Sequence, residues 1–404
     1  MNLESQFREK LKEISEVLDQ ETSKNKEIGV LSGTSGVALF QFYYSRFLDD
    51  DVHADKGVET ITKMVDYINN GFNYPTFCTG IAGACWVLEI LREEDFVELD
   101  EDFLSHSVDG HLLEAMRADI KDDNFDFLHG AMGYGFYFLK RYKNITSETS
   151  KKKYKAYLDE LIRALKESST KEGDKIWWDS VLKKEEGVIG CNLSLSHGIA
   201  SNINFLSRLA TYDEFFDDVK DLIAYTSNYI LDYKNKDTSL TSTFPNWIVA
   251  GEVVDFNSRL AWCYGDLGIG ISLLRVAETL KDQKLYEESI RILQKTTHRR
   301  DKEEASVIDA GLCHGAYGIL QIYNYLYKKT GDSLFKEAAD FWAQEALQMA
   351  TIKEGYAGYA AWQGAKEEWL PEVSLLEGVA GIGLTILSYL TPSMAKWDEC
   401  LLIS

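Results

Sequence analysis

Gly311-Leu312-Cys313-His314-Gly315-Ala316-Tyr317-Gly318 places a thiol, an imidazole and two spaced glycines at the head of an apolar segment. Beyond it Ile319, Ile322, Tyr323 and Leu326 recur at helical spacing. About fifty residues upstream, Trp262-Cys263-Tyr264-Gly265-Asp266-Leu267-Gly268 has the same plan, with Leu267, Ile271 and Leu274 continuing it. A catalytic zinc characteristically takes three protein ligands from Cys, His or carboxylates and keeps a fourth position open. Cys263, Cys313 and His314 offer such a set, each just ahead of an apolar helix.

Working outward, the glycine pattern recurs through the whole chain. Gly-x-x-Gly or a near match begins at Gly33, Gly80, Gly130, Gly198, Gly265, Gly315 and Gly378, and an apolar run follows each copy. In the fourth copy Ser201 replaces the second glycine. One such tetrapeptide is a weak signal, whereas seven in order define a repeat. Glycine there permits close backbone approach at crowded helix starts, so these glycines are structural first.

Between the apolar runs lie amphipathic stretches near 4–20, 55–70, 100–121, 151–168, 214–234, 282–297 and 332–350. In the fourth, Tyr154, Tyr157, Leu158, Leu161, Ile162 and Leu165 form one stripe. Seven outer helices therefore alternate with seven inner ones. An open solenoid should end in polar caps, yet the last inner segment, Gly381-Ile382-Gly383-Leu384-Thr385-Ile386-Leu387, is as apolar as the others. The expectation is an all-α fold, an α/α toroid closed over residues 1–404 as a single domain. Gly130 to Gly198 spans 68 residues and Gly198 to Gly265 spans 67, against 50 for Gly265 to Gly315. The surplus predicts insertions of long loops or short strands near 170–195 and 237–258, where substrate contacts usually sit.

Composition narrows the function. A net charge of −22 repels phosphate backbones, which excludes a nucleic-acid partner of the usual kind. The N-terminal residues do not read as a signal peptide and no stretch reads as a membrane span, so a cytosolic protein is expected. In that setting six cysteines do not suggest a disulfide framework; Cys78, Cys85, Cys191 and Cys400 read as buried small hydrophobes.

Further titratable groups stand at two other repeat starts. His197 precedes Gly198 in the register that His314 holds before Gly315, and His129 precedes Gly130 with Asp126 three residues earlier. If the starts converge, His197 is a general acid or base beside the metal, Asp126 a carboxylate that orients it, and His129 the rival for both metal and proton. Arg259 offers a positive charge for developing anionic character and Tyr264 a hydrogen bond. Taken singly, each of these residues is equally a cap, a packed core group or an ordinary surface charge, and two buried thiols with a capping histidine would account for the metal set. The joint placement favours zinc.

The Trp262-Cys263-Tyr264-Gly265, Cys313-His314-Gly315 and Ser196-His197-Gly198 motifs, together with the seven Gly-x-x-Gly starts, resemble the lanthionine synthetase C, or lantibiotic cyclase, family. The resemblance covers essentially the whole chain. It implies an α/α toroid with seven inner and seven outer helices, Zn2+ held by Cys263, Cys313 and His314, and His197 as the proton-transfer group, accompanied by Asp126, Arg259 and Tyr264. The implied reaction adds cysteine thiolates to dehydroalanine or dehydrobutyrine residues of a dehydrated ribosomal precursor peptide, giving thioether rings. The implied partners are that peptide with its leader, and a dehydratase and exporter in a complex at the inner membrane face. Two other readings compete. One is a zinc-containing cyclase-like protein that binds glutathione or a protein partner. The other is a toroid related to glycosidases or prenyltransferases, for which the sequence offers no persuasive carboxylate pair or alternative zinc set.

Overall fold

A computed structural model of the chain describes residues 2–101, 103, 105–237, 240–393 and 396–404. Fourteen α-helices occur among the described residues: α1 (Leu3–Glu21), α2 (Thr34–Leu48), α3 (Val52–Asn69), α4 (Ile81–Glu93), α5 (Ser105–Lys121), α6 (Ala131–Asn144), α7 (Glu148–Ser168), α8 (Ile199–Leu209), α9 (Asp213–Asp232), α10 (Asp266–Leu280), α11 (Gln283–Thr296), α12 (Ala316–Thr330), α13 (Ser333–Gln348) and α14 (Val379–Leu390). The even-numbered helices are those that follow the repeat glycines, and each has its glycine as N-cap.

The two classes differ in burial as their sequences require. Every residue of α4 from Ile81 to Leu91 is buried, as is every residue of α12 from Ala316 to Leu326. In α7 only Tyr154, Leu158, Leu161, Ile162 and Leu165 are buried. Tyr157, expected in that stripe, lies half-buried at its flank with its ring edge-on to Phe138. Several amphipathic helices carry side-chain caps: Asn2 accepts from the Ser5 amide at 2.8 Å, and Asp282 from that of Leu285 at 3.0 Å.

The buried helices are capped differently. Their first amides donate to carbonyls of the loop just before them: Ala316 to Asp309 at 3.1 Å, Tyr317 to Ala310 at 3.2 Å and Gly318 to Gly311 at 3.3 Å. The same folding-back recurs at α14, where Val379 and Ala380 donate to Glu372 and Val373. This loop satisfies amides that a buried helix end cannot give to water, and its closeness explains the second glycine of the repeat. A Cβ on Gly318 would lie 2.0 Å from the Leu312 carbonyl oxygen, so only glycine fits. Ser201 departs from the pattern and turns its hydroxyl back onto the Gly198 carbonyl at 2.6 Å.

Two compact units are defined by their internal contacts. One comprises Met1–Leu112 and Val307–Ser404, the other Leu113–Ser306. In the first, α2 packs on α3, α4 and α14, and α12 packs on α13 and α14. Its pre-helix loops form a relay of backbone hydrogen bonds: Leu312 N–H to Leu376 O at 2.8 Å, Leu376 N–H to Leu31 O at 2.8 Å and Leu31 N–H to Cys78 O at 3.1 Å. In the second, α8 packs on α6, α9 and α10, and Leu195 N–H donates to Cys263 O at 3.0 Å in the same manner.

Both expected insertions contain strands, and both lie in the second unit. β1 (Thr170–Glu172) pairs with β2 (Lys175–Trp177), while β3 (Ser180–Lys183), β4 (Val188–Asn192), β5 (Trp247–Val249) and β6 (Glu252–Val253) form an antiparallel sheet in that order. Fully buried Asp266, in the first turn of α10, clamps the second insertion by accepting from the Thr243 amide at 2.7 Å and that of Phe244 at 2.9 Å. In the first unit a hairpin of β7 (Ala361–Gln363) and β8 (Glu368–Leu370), not expected from the sequence, precedes α14. No helix among the described residues is long and apolar enough to cross a membrane.

Gly265 alone among the seven first glycines of the repeat has a positive φ, +93°. A Cβ there would also meet the Arg259 carbonyl oxygen at 2.2 Å. Gly265→Ala is therefore expected to cost at least about 1–3 kcal/mol from backbone strain alone. Gly110→Ala is the control, since nothing lies within 4 Å of the added methyl in α5; it should gain about 0.5–1 kcal/mol from helix propensity. Thermal melts of the two variants compare the effects, and a Gly265→Ala protein as stable as the parent would contradict this account.

Candidate functional site

The second unit contains a cavity of about 600 Å³. Asp126, Asn192, His197 and Tyr264 line it, together with Trp178 and Val181 from the first insertion. Asp126 lies in the loop before α6. Its Oδ1 accepts from the amides of Leu128 (2.8 Å) and His129 (2.7 Å), which fixes the carboxylate. Its Oδ2 lies 2.6 Å from His197 Nδ1. With Nδ1 engaged in this way, Nε2 is the ring nitrogen His197 has for other chemistry.

Burial opposes the charged form of His197, but the hydrogen bond and charge of Asp126, with a smaller contribution from Cys263, outweigh it and raise the pKa above the usual histidine value. His129 behaves oppositely. Its ring stacks at 6.3 Å from that of His197, and burial holds its pKa down against the pull of Asp126. The two candidate histidines thus differ in which protonation state their surroundings favour.

Cys263 is buried, and its carbonyl accepts from Leu195 and, at 3.4 Å, from Ser196. Those bonds fasten the Cys263 loop to the one that carries His197. Tyr264 is half-buried, its hydroxyl 3.2 Å from Asn192 Nδ2. Arg259 has an exposed side chain. Among the described residues no hydrogen bond or ion pair of its guanidinium is present, so the geometry gives it no link to the Asp126–His197 pair.

In the first unit, Cys313 and His314 sit where the chain bends into α12, half-buried, with the Cys313 amide held by Leu376 O at 3.0 Å. His314 Nε2 lies 3.4 Å from Asp309 Oδ2. Asp309 also accepts from the amides of Gly311 (3.1 Å) and Trp362 (3.0 Å), the latter on β7. Burial would raise the Asp309 carboxyl, but the contact with His314 and these amides prevail and keep its pKa low. A carboxylate against the second ring nitrogen is the support that metal-ligating histidines usually have. Glu377, one residue before Gly378 as His314 is before Gly315, is pushed up by burial and accepts from Gln363 at 3.3 Å.

Asn192, Asp309 and Glu377 were not among the expected site residues. Their signal was positional: Asn192 stands six residues before Gly198 and Asp309 six before Gly315, while Glu377 immediately precedes Gly378. The four cysteines expected to be structural, Cys78, Cys85, Cys191 and Cys400, are all buried free thiols. Burial raises the pKa of Cys191 and Cys400, which disfavours their thiolates.

Buried helices headed by glycine, with thiols, imidazoles and a carboxylate standing just before several of them, define a helical repeat protein with titratable groups at its helix starts. Residues 25–402 match the family model described as lanthionine synthetase C-like protein, and the chain belongs to that family. Among solved structures it is similar to one titled "Nisin cyclase", at 18% identity and a TM-score of 0.72, over 98% of this chain and 97% of that one. The fold is thus all-α, the α/α toroid. A second structure, a sugar epimerase from a ruminal bacterium, aligns at 11% identity with a TM-score of 0.44, over 95% of this chain and 99% of that one, too loosely to bear on fold or function.

Proposed function

We propose that the protein is a zinc-dependent peptide cyclase that joins cysteine thiols to dehydroalanine or dehydrobutyrine residues of a dehydrated precursor peptide. The observation that carries this reading is the Asp126–His197 pair lining a cavity beside Tyr264. Family membership supports the reaction class.

In this reading residues 1–404 act as one domain and Cys263, Cys313 and His314 form the metal-binding group, each offering one ligand atom. The donor set fits zinc: two thiolates and an imidazole are soft and borderline ligands, and three of them leave a position for substrate. Asp309 at Nε2 makes Nδ1 the nitrogen that His314 offers. When bound, the ion would lower the pKa of an incoming cysteine thiol.

Cyclisation is an addition. The substrate S–H loses its proton, the sulfur bonds to the β-carbon, and the double-bond electrons move toward the neighbouring carbonyl. A proton then returns to the α-carbon, so no oxidant or reductant is consumed. His197, held by Asp126 and favoured in its protonated form, delivers that proton from Nε2 and can recover it from the next thiol. Tyr264 and, where substrate brings charge near it, Arg259 assist as anionic character grows.

The dehydrated residues must come from a separate dehydratase reaction. The peptide's leader, the dehydratase and an exporter are the expected partners, which would place the enzyme in the cytoplasm at the inner face of the membrane.

Purified protein incubated with a dehydrated, cysteine-containing precursor peptide should consume free thiols, and a chelator should stop it. Thiols unchanged across precursor peptides of varied sequence would overturn the reading. That outcome would favour a zinc-binding cyclase-like protein that holds glutathione or a protein partner instead.

A further inference from the structure

We infer that Asn192 is a positioning residue that makes Tyr264 a hydrogen-bond donor into the cavity, aimed at the carbonyl oxygen conjugated to the substrate's double bond. This rests on the cyclase reading of the same cavity.

The argument begins with the amide's orientation. Asn192 is 7% exposed and ends β4. Its Oδ1 accepts from the Ser194 backbone N–H at 3.0 Å. A backbone N–H can only donate, so the oxygen of the amide must face Ser194 and the NH2 must face the other way. The usual ambiguity between amide oxygen and nitrogen is removed by this one neighbour.

The second step concerns the phenol. Asn192 Nδ2 is 3.2 Å from the Tyr264 oxygen. An amide NH2 donates and does not accept, so in this pair the tyrosine oxygen is the acceptor. The phenolic proton must then point elsewhere. Among the described residues no other hydrogen bond of the Tyr264 hydroxyl is present, and Tyr264 and His197 line the same cavity.

A hydroxyl so constrained is a preorganised donor. As sulfur adds to the β-carbon, negative charge gathers on the carbonyl oxygen next to the α-carbon. A donor already turned toward that oxygen needs no reorientation during the reaction. Asn192 acts only through Tyr264. Ser194 lies three residues before His197 and its hydroxyl accepts from the His197 amide at 3.1 Å, so the turn that orients the amide also holds the histidine's backbone.

Asn192→Asp tests this directly, because it keeps an oxygen for the Ser194 amide and replaces the NH2 by an acceptor. The phenolic proton should then turn to the new carboxylate and away from the cavity. With the zinc-loaded enzyme and a dehydrated peptide, Tyr264→Phe should lower kcat about 10²-fold, the lower end for loss of one such donor. Asn192→Asp should lower kcat comparably with KM little changed. The double variant should be hardly worse than either single one, since both remove the same donor.

Full kcat in Asn192→Asp, or losses that multiply in the double variant, would overturn the inference while leaving the cyclase reading intact. A wild-type protein inert on all peptides would overturn the cyclase reading instead. The pairing itself has a readout independent of turnover. In protein labelled with 13C at tyrosine Cζ, the Tyr264 signal, assigned by its absence in Tyr264→Phe, should move on Asn192→Asp. A signal that stays in place would show that the two side chains do not interact.

Discussion

Cys313→Ala is expected to strip the protein of stoichiometric zinc and to abolish thiol consumption. The substitution removes one of three proposed ligands, so the loss of zinc affinity should exceed the about 10–100-fold typical for removing a residue that merely supports a ligand. The informative control is Cys78→Ala. Cys78 occupies the same place in the second repeat, two residues before its glycine, but is 4% exposed and has the Ser32 hydroxyl 3.3 Å from its sulfur. Cys78→Ala should keep zinc and activity with some loss of stability. Metal analysis after gel filtration measures both variants. Zinc retained in Cys313→Ala would remove that residue from the ligand set and shift attention to His129.

His197→Asn should retain zinc and lose about 10²–10⁴-fold in kcat, the usual range for a proton-transfer group. The pH dependence gives a second check. Because Asp126 raises the pKa of folded His197, the protonated imidazole persists to higher pH than in the unfolded chain. The pair's contribution to stability is thus fully present below the unfolded-state pKa and fades as pH rises through the folded-state value. Proton delivery should fall over the same rise. Asp126→Asn, which removes the charge but keeps an oxygen near Nδ1, should move that fall to lower pH. Unaltered kcat in His197→Asn would exclude the residue from the mechanism.

Much of the architecture was legible because burial writes itself into sequence. A helix enclosed on most sides carries few charges, so α4, α12 and α14 are mainly apolar and the buried Glu89 of α4 is paired with Arg92 at 2.9 Å, whereas α7 needs only a stripe. The repeat glycines were legible for a related reason. At Gly83, Gly318 and Gly381 a loop carbonyl oxygen passes within 2.0 Å of where a Cβ would be, which excludes a side chain there, while Ser201 shows that the fourth copy is built differently. The hairpin before α14 was not, because two three-residue strands are too short to display an alternating pattern. Asn192 and Asp309 were overlooked because a short polar residue ahead of glycine looks like ordinary loop chemistry.

The candidate site divides in the same way. Cys263, Cys313 and His314 stood out because thiols and imidazoles are rare and their places before the glycines repeat. Asp126 was the loosest assignment, resting on distance from His197 along the chain and a following His-Gly. The fold places its carboxylate 2.6 Å from that imidazole across 71 residues. Arg259 was assigned from its place four residues before Cys263 and from the family resemblance. Its side chain is exposed and, among the described residues, makes no hydrogen bond or ion pair, so its proposed role depends on charge that substrate brings.

By itself the sequence determined the order of the helix pairs, which faces are buried, and which chemical groups stand at the helix starts, because periodicity and residue type are local properties of the chain. Only the tertiary structure decided which groups meet and in which direction each hydrogen bond runs. Asn192 faces Tyr264 across 72 residues, and it faces with its NH2 because Ser194 has already claimed its oxygen. Such a choice follows from donors and acceptors competing in three dimensions, which no spacing along the chain encodes.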